Sequence, residues 1–140
     1  MSAAHGSLAE GMEFASEPYL LDESAAHAYQ AGVKEPPRRR RRNIHTDREA
    51  ASRAGFEAPI AAGEHTIAVM MQLLVDQFGM NFIRGGGFEV TLIKPVLYGD
   101  TICCHASVIG IKEGRAEFRV WVENQRGQHV LTGTASARVE

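Results

Sequence analysis

The chain is short of most of the features that would assign it to a specialised class. It has only two cysteines, Cys103 and Cys104, and they are neighbours. Adjacent residues of an extended strand point to opposite faces, so a bond between them would be strained. Nor do they form the C-x-x-C pair of a metal site, so both read as small strand residues kept reduced. No apolar run reaches the roughly 18 residues needed to span a bilayer. The longest, Ile67 to Val75, is interrupted by Gln72. Charge of one sign is also lacking: 15 Lys and Arg against 17 Asp and Glu leave a formal net charge of -2. That excludes a general attraction to nucleic acid or anionic membrane. The first six residues, Met1 to Gly6, have neither a basic region nor an apolar core. No signal peptide is expected there, and the cytoplasm is the expected location. No internal repeat is visible.

What is present fits one soluble domain. A chain of 140 residues with 44% hydrophobic residues can bury a core but is too short for two. Residues 1–12 are small and polar and read as a loose tail, leaving 13–140 as the domain. Phe14 to Leu21 is expected to form a short edge strand limited by Pro18. Asp22 is placed to cap a helix through Ala31 that Gly32 stops. Lys34 to Arg42, with two prolines and five consecutive arginines, is expected to be a loop. Thr46 or Asp47 can cap a second short helix over 48–54. From Glu64 to Phe78 there is no breaker, and Ile67, Ala68, Met71, Leu74, Val75 and Phe78 follow helical spacing. Met70 and Leu73 extend its apolar surface nearly all round, as in a helix wrapped by other structure. Gly85-Gly86-Gly87 has no strand before it and no helix after it, so it reads as a turn, not a phosphate loop. Beyond it the period switches to two. Strands are predicted over 88–93, 101–111, 117–123 and 129–139, with turns at 98–100, 112–114 and 124–127. The predicted class is α+β: an antiparallel meander of at least four strands curled around one long helix.

Four stretches, in order, then suggest a family. They are Asn43-Ile44-His45-Thr46-Asp47, then Gly55-Phe56 with Pro59-Ile60-Ala61 and Gly63, then Lys94-Pro95-Val96 with Gly99-Asp100, then Asn124 to Ala135. Together they resemble the MaoC-like hydratases, which include the R-specific enoyl-CoA hydratases. The resemblance covers roughly residues 20–139. It implies a single hot-dog domain acting as a homodimer on an acyl thioester of coenzyme A or of an acyl carrier protein. The implied reaction adds or removes water across the 2,3 bond. No cofactor is implied beyond the coenzyme A or phosphopantetheine of the substrate itself, and no metal.

Such hydration needs a base for water, an acid for the α-carbon and donors for the enolate oxygen. In the family an Asp and a His five residues later share the acid/base work. The His matches His45. The Asp does not match: Arg40 stands five residues before His45, or Arg41 if the missing proline of the motif is a deletion. An arginine is always charged and cannot be a base. Glu64, where relatives carry an apolar residue, can supply the missing carboxylate at a helix N-terminus. Some hot-dog thioesterases place a catalytic carboxylate on this helix, so Glu64 also opens that reaction class. Asp47 resembles the family's structural Asp at the short helix. Gly63, at the helix start, is expected to leave N–H groups open to the thioester carbonyl. Arg40, Arg41, Asn43, His65 and Thr66 are the substrate-binding candidates, with the arginine run suited to phosphates or a substrate carboxylate. Three readings stay open: a lyase using His45, Glu64 and Gly63, a thioesterase using Glu64, and an acyl-binding module without activity.

Overall fold

A computed structural model describes residues 8–33, 44–45 and 47–139. The longest stretch of regular helix, α3 (Gly63–Phe78), follows α1 (Glu23–Val33) and α2 (Arg48–Arg53) and precedes the short α4 (Met80–Gly85). The strands are β1 (Glu13–Ala15), β2 (Tyr19–Leu21), β3 (Gly87–Leu92), β4 (Asp100–Lys112), β5 (Arg115–Glu123) and β6 (His129–Arg138). All pairings are antiparallel, in the order β1-β4-β5-β6-β3, with β2 also on β4.

Alternation decides which face of this sheet meets the helix. Phe118, Val120 and Val122 of β5 are fully buried, as are Ile102, Cys104, Ala106 and Val108 of β4. Their intervening neighbours point outward, as a period of two requires. Against this face α3 presents Met70, Leu73, Leu74 and Phe78, all buried, with the Phe78 ring tilted against Phe118, centroids 4.9 Å apart. An antiparallel sheet folded over one helix is the hot-dog arrangement expected from the sequence. On the outer face, Trp121 lies between two imidazoles, with ring centroids 5.3 Å from His105 and 6.1 Å from His129. Its indole N–H donates to Glu123.

The turns follow from their residues. Glu113 and Gly114 both have positive φ, the pair of left-handed residues that a two-residue hairpin needs between β4 and β5. Buried Asn124 accepts from the N–H groups of Arg126 and Gln128, tying the β5–β6 turn. Asp47 caps α2 by accepting from Glu49 N, and Asp22 caps α1 by accepting from Ala25 N at 2.8 Å. Gly79 closes α3 as expected.

Several expectations need correction. Phe14 to Leu21 is two strands, not one, because Ser16 to Pro18 break the pairing; both halves pair with β4. Helix α1 runs through Gly32 to Val33. Residues 80–85 form a helix that the glycine-rich spacing concealed, and Gly85 and Gly87 belong to α4 and β3 instead of a free turn. Strands β3 and β4, consecutive in sequence, are not neighbours: β3 crosses to the far edge and pairs with β6. Gly11 N–H donates to Val108 O and Met12 O accepts from Val108 N, so residues 11–12 already join the sheet. Residues 1–7 and the arginine loop lie outside the described residues. Cys104 is buried, its thiol pushed up to about 12 by burial first and by Cys103 second, while Cys103 faces Ser16 on the other side. No helix of the described residues is long and apolar enough to cross a membrane.

Where β3 meets β6, Gly133 lies so close to its partner that an added Cβ would collide with the Glu89 carbonyl and come 2.7 Å from Val90 Cα. A backbone cannot yield as a side chain can. Gly133→Ala should therefore cost about 2 kcal/mol or more, within the range of steric changes in a packed interior. Thr134→Ala, at the exposed next residue, should be near neutral. Urea unfolding of both variants checks this; equal midpoints would refute the close-approach argument.

Candidate active site

The N-terminus of α3 is held by two strips of backbone. The strip 59–61 pairs with 96–98: Ala61 N donates to Val96 O at 2.7 Å, Tyr98 N donates to Pro59 O, and Ile60 bridges Leu97. The 96–98 strip is fixed in turn by buried Asp100. One carboxylate oxygen accepts from Leu97 N at 2.9 Å and the other from Gln125 Nε2 at 2.8 Å. The Gly-Asp of the sequence motif is thus a structural clamp.

On the other side of Ile60 sits the histidine loop. Ile60 N donates to Ile44 O at 2.9 Å, and the Ile60 carbonyl lies 2.9 Å from His45 Nδ1. Tyr98 adds a third tie, its hydroxyl donating to His45 O. A carbonyl can only accept, so Nδ1 must carry the proton. In neutral His45 the lone pair is then on Nε2, which is the tautomer a general base requires. Three residues beyond Ile60 the helix begins at Gly63. Its N-cap residue Ala62 has no side-chain hydrogen bond to offer. The N–H groups of Gly63 and Glu64 meet no acceptor among the described residues. A Cβ on Gly63 would meet the far end of the exposed Leu92 side chain, which can swing aside, so packing alone does not require the glycine.

The structure ties His45 to Ile60, three residues before Gly63, and spreads the other described candidates around that end of α3. Glu64 is exposed at the first turn, close enough to Tyr29 for its charge to add to the main effect, burial, in raising that phenol. Thr66 is buried. His65 is 4% exposed and turns to the flank of α3 facing α1. There it lies flat against Tyr29, with centroids 4.4 Å apart, and its Nε2 is 2.9 Å from the Tyr19 hydroxyl. Burial lowers the His65 pKa. Tyr19 is raised, first by burial and then by Asp22, so the pair is neutral. Arg40, Arg41 and Asn43 lie outside the described residues. Asp47 is occupied as the α2 cap. Sequence reasoning missed Tyr19, Tyr29 and Tyr98. Tyr98 stood inside a recognised motif, but nothing in a turn sequence reveals that its hydroxyl reaches residue 45. Among the described residues no group of three or more His, Cys, Asp or Glu is arranged to hold a metal ion.

The antiparallel sheet wrapped on α3 defines a single hot-dog domain. The MaoC like domain family matches residues 41–128, more than half of the chain, and the protein belongs to that family. No curated protein sequence matches it. The (R)-hydratase from A. caviae involved in PHA biosynthesis superposes with a TM-score of 0.78 at 21% identity, over 96% of this chain and 98% of that one. The MaoC-like dehydratase from Rhodospirillum rubrum gives 0.69 at 29%, over 95% and 94%. One chain of the HadBC (3R-hydroxyacyl-ACP dehydratase) complex from Mycobacterium tuberculosis gives 0.66 at 16%, over 91% and 95%.

Two outcomes follow from the geometry. Tyr98→Phe should cost about 1 kcal/mol, the usual worth of one hydrogen bond, measurable as a melting shift of a few degrees. An unchanged melting temperature would show that the tie to His45 O contributes nothing. His65 is lowered in the folded state from 6.5, so the unfolded chain binds its proton more readily. Stability should be full above that value and decline as pH falls through it toward the lower folded one. His65→Phe should flatten this decline below about pH 6.5; a parallel profile would contradict it.

Proposed function

We propose that the protein adds water to, or removes it from, the 2,3 bond of an acyl thioester. The observation that carries the reading is the Nδ1–H of His45 on Ile60 O, three residues before the uncapped start of α3, which sets the tautomer a general base uses. In hydration Nε2 takes a proton from water and the hydroxyl adds to C3. The electron pair then moves through C2 to the thioester oxygen, where the N–H groups at Gly63 stabilise the enolate. The imidazolium returns the proton to C2. His45 performs both transfers, which makes the chain less dependent on the carboxylate that Arg40 or Arg41 replaces. Family membership and the shared fold of solved hydratases and dehydratases support the reaction class. The arginines suit the phosphates of a coenzyme A or carrier-borne thioester.

The same reading includes a homodimer. Strand β3 pairs with β6 on one side, and no described strand covers its other edge. Around that edge Phe88, Leu92, Ile93 and Ile83 are each more than 40% exposed. A free apolar edge is a template for a second chain. The relative from M. tuberculosis is itself a complex.

Crotonyl-CoA tests the reaction directly. Loss of enoyl absorbance without thiol release is expected, and His45→Ala should reduce kcat/KM by about 10² or more. Thiol release abolished by Glu64→Gln would replace this reading with a thioesterase. Neither signal, with any chain from crotonyl to octenoyl, would leave an acyl-binding module. Replacing both Arg40 and Arg41 by Ala should raise KM for crotonyl-CoA about tenfold but barely change it for crotonyl-pantetheine, which lacks the nucleotide phosphates. Equal effects would remove the arginines from phosphate binding.

A further inference from the structure

The flank of α3 that faces α1 bears a cavity of about 480 Å³. That is within the size range of small-molecule sites. One wall is the link from Ala15 to Tyr19, another is Tyr29, and the floor is a stripe of α3 from His65 to Gln77. The stripe lies on the opposite side of the helix from Gly63. At about 100° per residue, His65, Val69, Gln72 and Asp76 lie roughly 180–240° round from it. Gly63 faces Leu92 of β3. The cavity is therefore separate from the end of α3 where the thioester is placed.

Its chemistry is one-sided. Glu17 and Asp76 contribute two carboxylates, and the lining contains no Lys or Arg. Neither carboxylate has a cationic partner among the described residues; Asp76 accepts only from Gln72 Nε2, at 2.8 Å. Between the carboxylates and the rings the surface is apolar, from Pro18, Ala68, Val69 and Leu73. At the closed end His65 is almost wholly buried. With the Tyr19 phenol donating to Nε2, the imidazole proton is on Nδ1, which meets no acceptor among the described residues. In that tautomer Nδ1 would gain a hydrogen bond from an acceptor filling the space.

We propose that this cavity is a second ligand site, for a small organic amine. The protonated nitrogen would sit at Glu17 and Asp76, the apolar body on Ala68, Val69 and Leu73, and an acceptor oxygen against His65 Nδ1. Anionic ligands are excluded by the same two carboxylates.

Three isosteric probes separate the possibilities: 4-methoxybenzylamine, 4-methoxybenzyl alcohol and 4-methoxybenzoate, titrated into the full chain by calorimetry and by NMR of the His65 and Tyr29 resonances. The amine should bind with Kd below about 1 mM, at least tenfold tighter than the alcohol, while the benzoate does not bind. Glu17→Gln and Asp76→Asn, both on the cavity's open side, should each weaken the amine about fivefold or more and leave the fold intact. Saturating crotonyl-CoA should not displace it. The proposal is overturned if no probe binds up to several millimolar, or if alcohol or benzoate matches the amine. It is equally overturned if both carboxylate variants bind as the parent does, or if crotonyl-CoA displaces the amine.

Discussion

The peptide of Ile60 is the fixed point of the end of the domain where α3 begins. Its N–H is given to Ile44 O, its carbonyl receives His45 Nδ1, and its strip is paired with 96–98. A single residue thereby sets the position of the histidine loop and the entry angle of α3. It also selects the histidine tautomer, because a carbonyl has no proton to give. The buried Asp100 carboxylate holds the strip opposite, so the geometry beside Gly63 is anchored deep in the sheet. Positioning through backbone groups tolerates side-chain change, which suits a family whose members share a fold at low identity.

Much of this architecture was legible because it is written in periodicity. The unbroken helical spacing from Glu64 to Phe78 and the strict alternation of Phe118, Val120 and Val122 each permit one regular structure and one buried face. Strand order was not legible. Residues 88–93 carry the same period-two pattern as the rest, and local pattern says nothing about which neighbour a strand chooses. Helix α4 was hidden for a different reason: Gly79 and Gly86–Gly87 bracket only six residues, and packing of Phe82 outweighs their low propensity.

The site was legible in part. His45 and Gly63 stood out through a motif, and the structure shows the hydrogen bond that ties His45 to Ile60, on the strip leading into Gly63. His65 could be named from its place two residues past Gly63, but its surroundings could not. Tyr19 and Tyr29 reach it from elements 46 and 36 residues earlier in the chain. Burial and two aromatic neighbours turn a histidine that titrates near neutrality into one held neutral, a property no linear spacing encodes.

The stack of His105, Trp121 and His129 has a practical meaning for anyone working with this chain. Trp121 is its only tryptophan, and it stands on the outer face of β5, across the sheet from the helix it wraps. Its emission is set by two imidazoles and the Glu123 carboxylate around the indole. Intrinsic fluorescence is therefore an optical gauge of the sheet's back. It is blind to whatever occupies either side of α3.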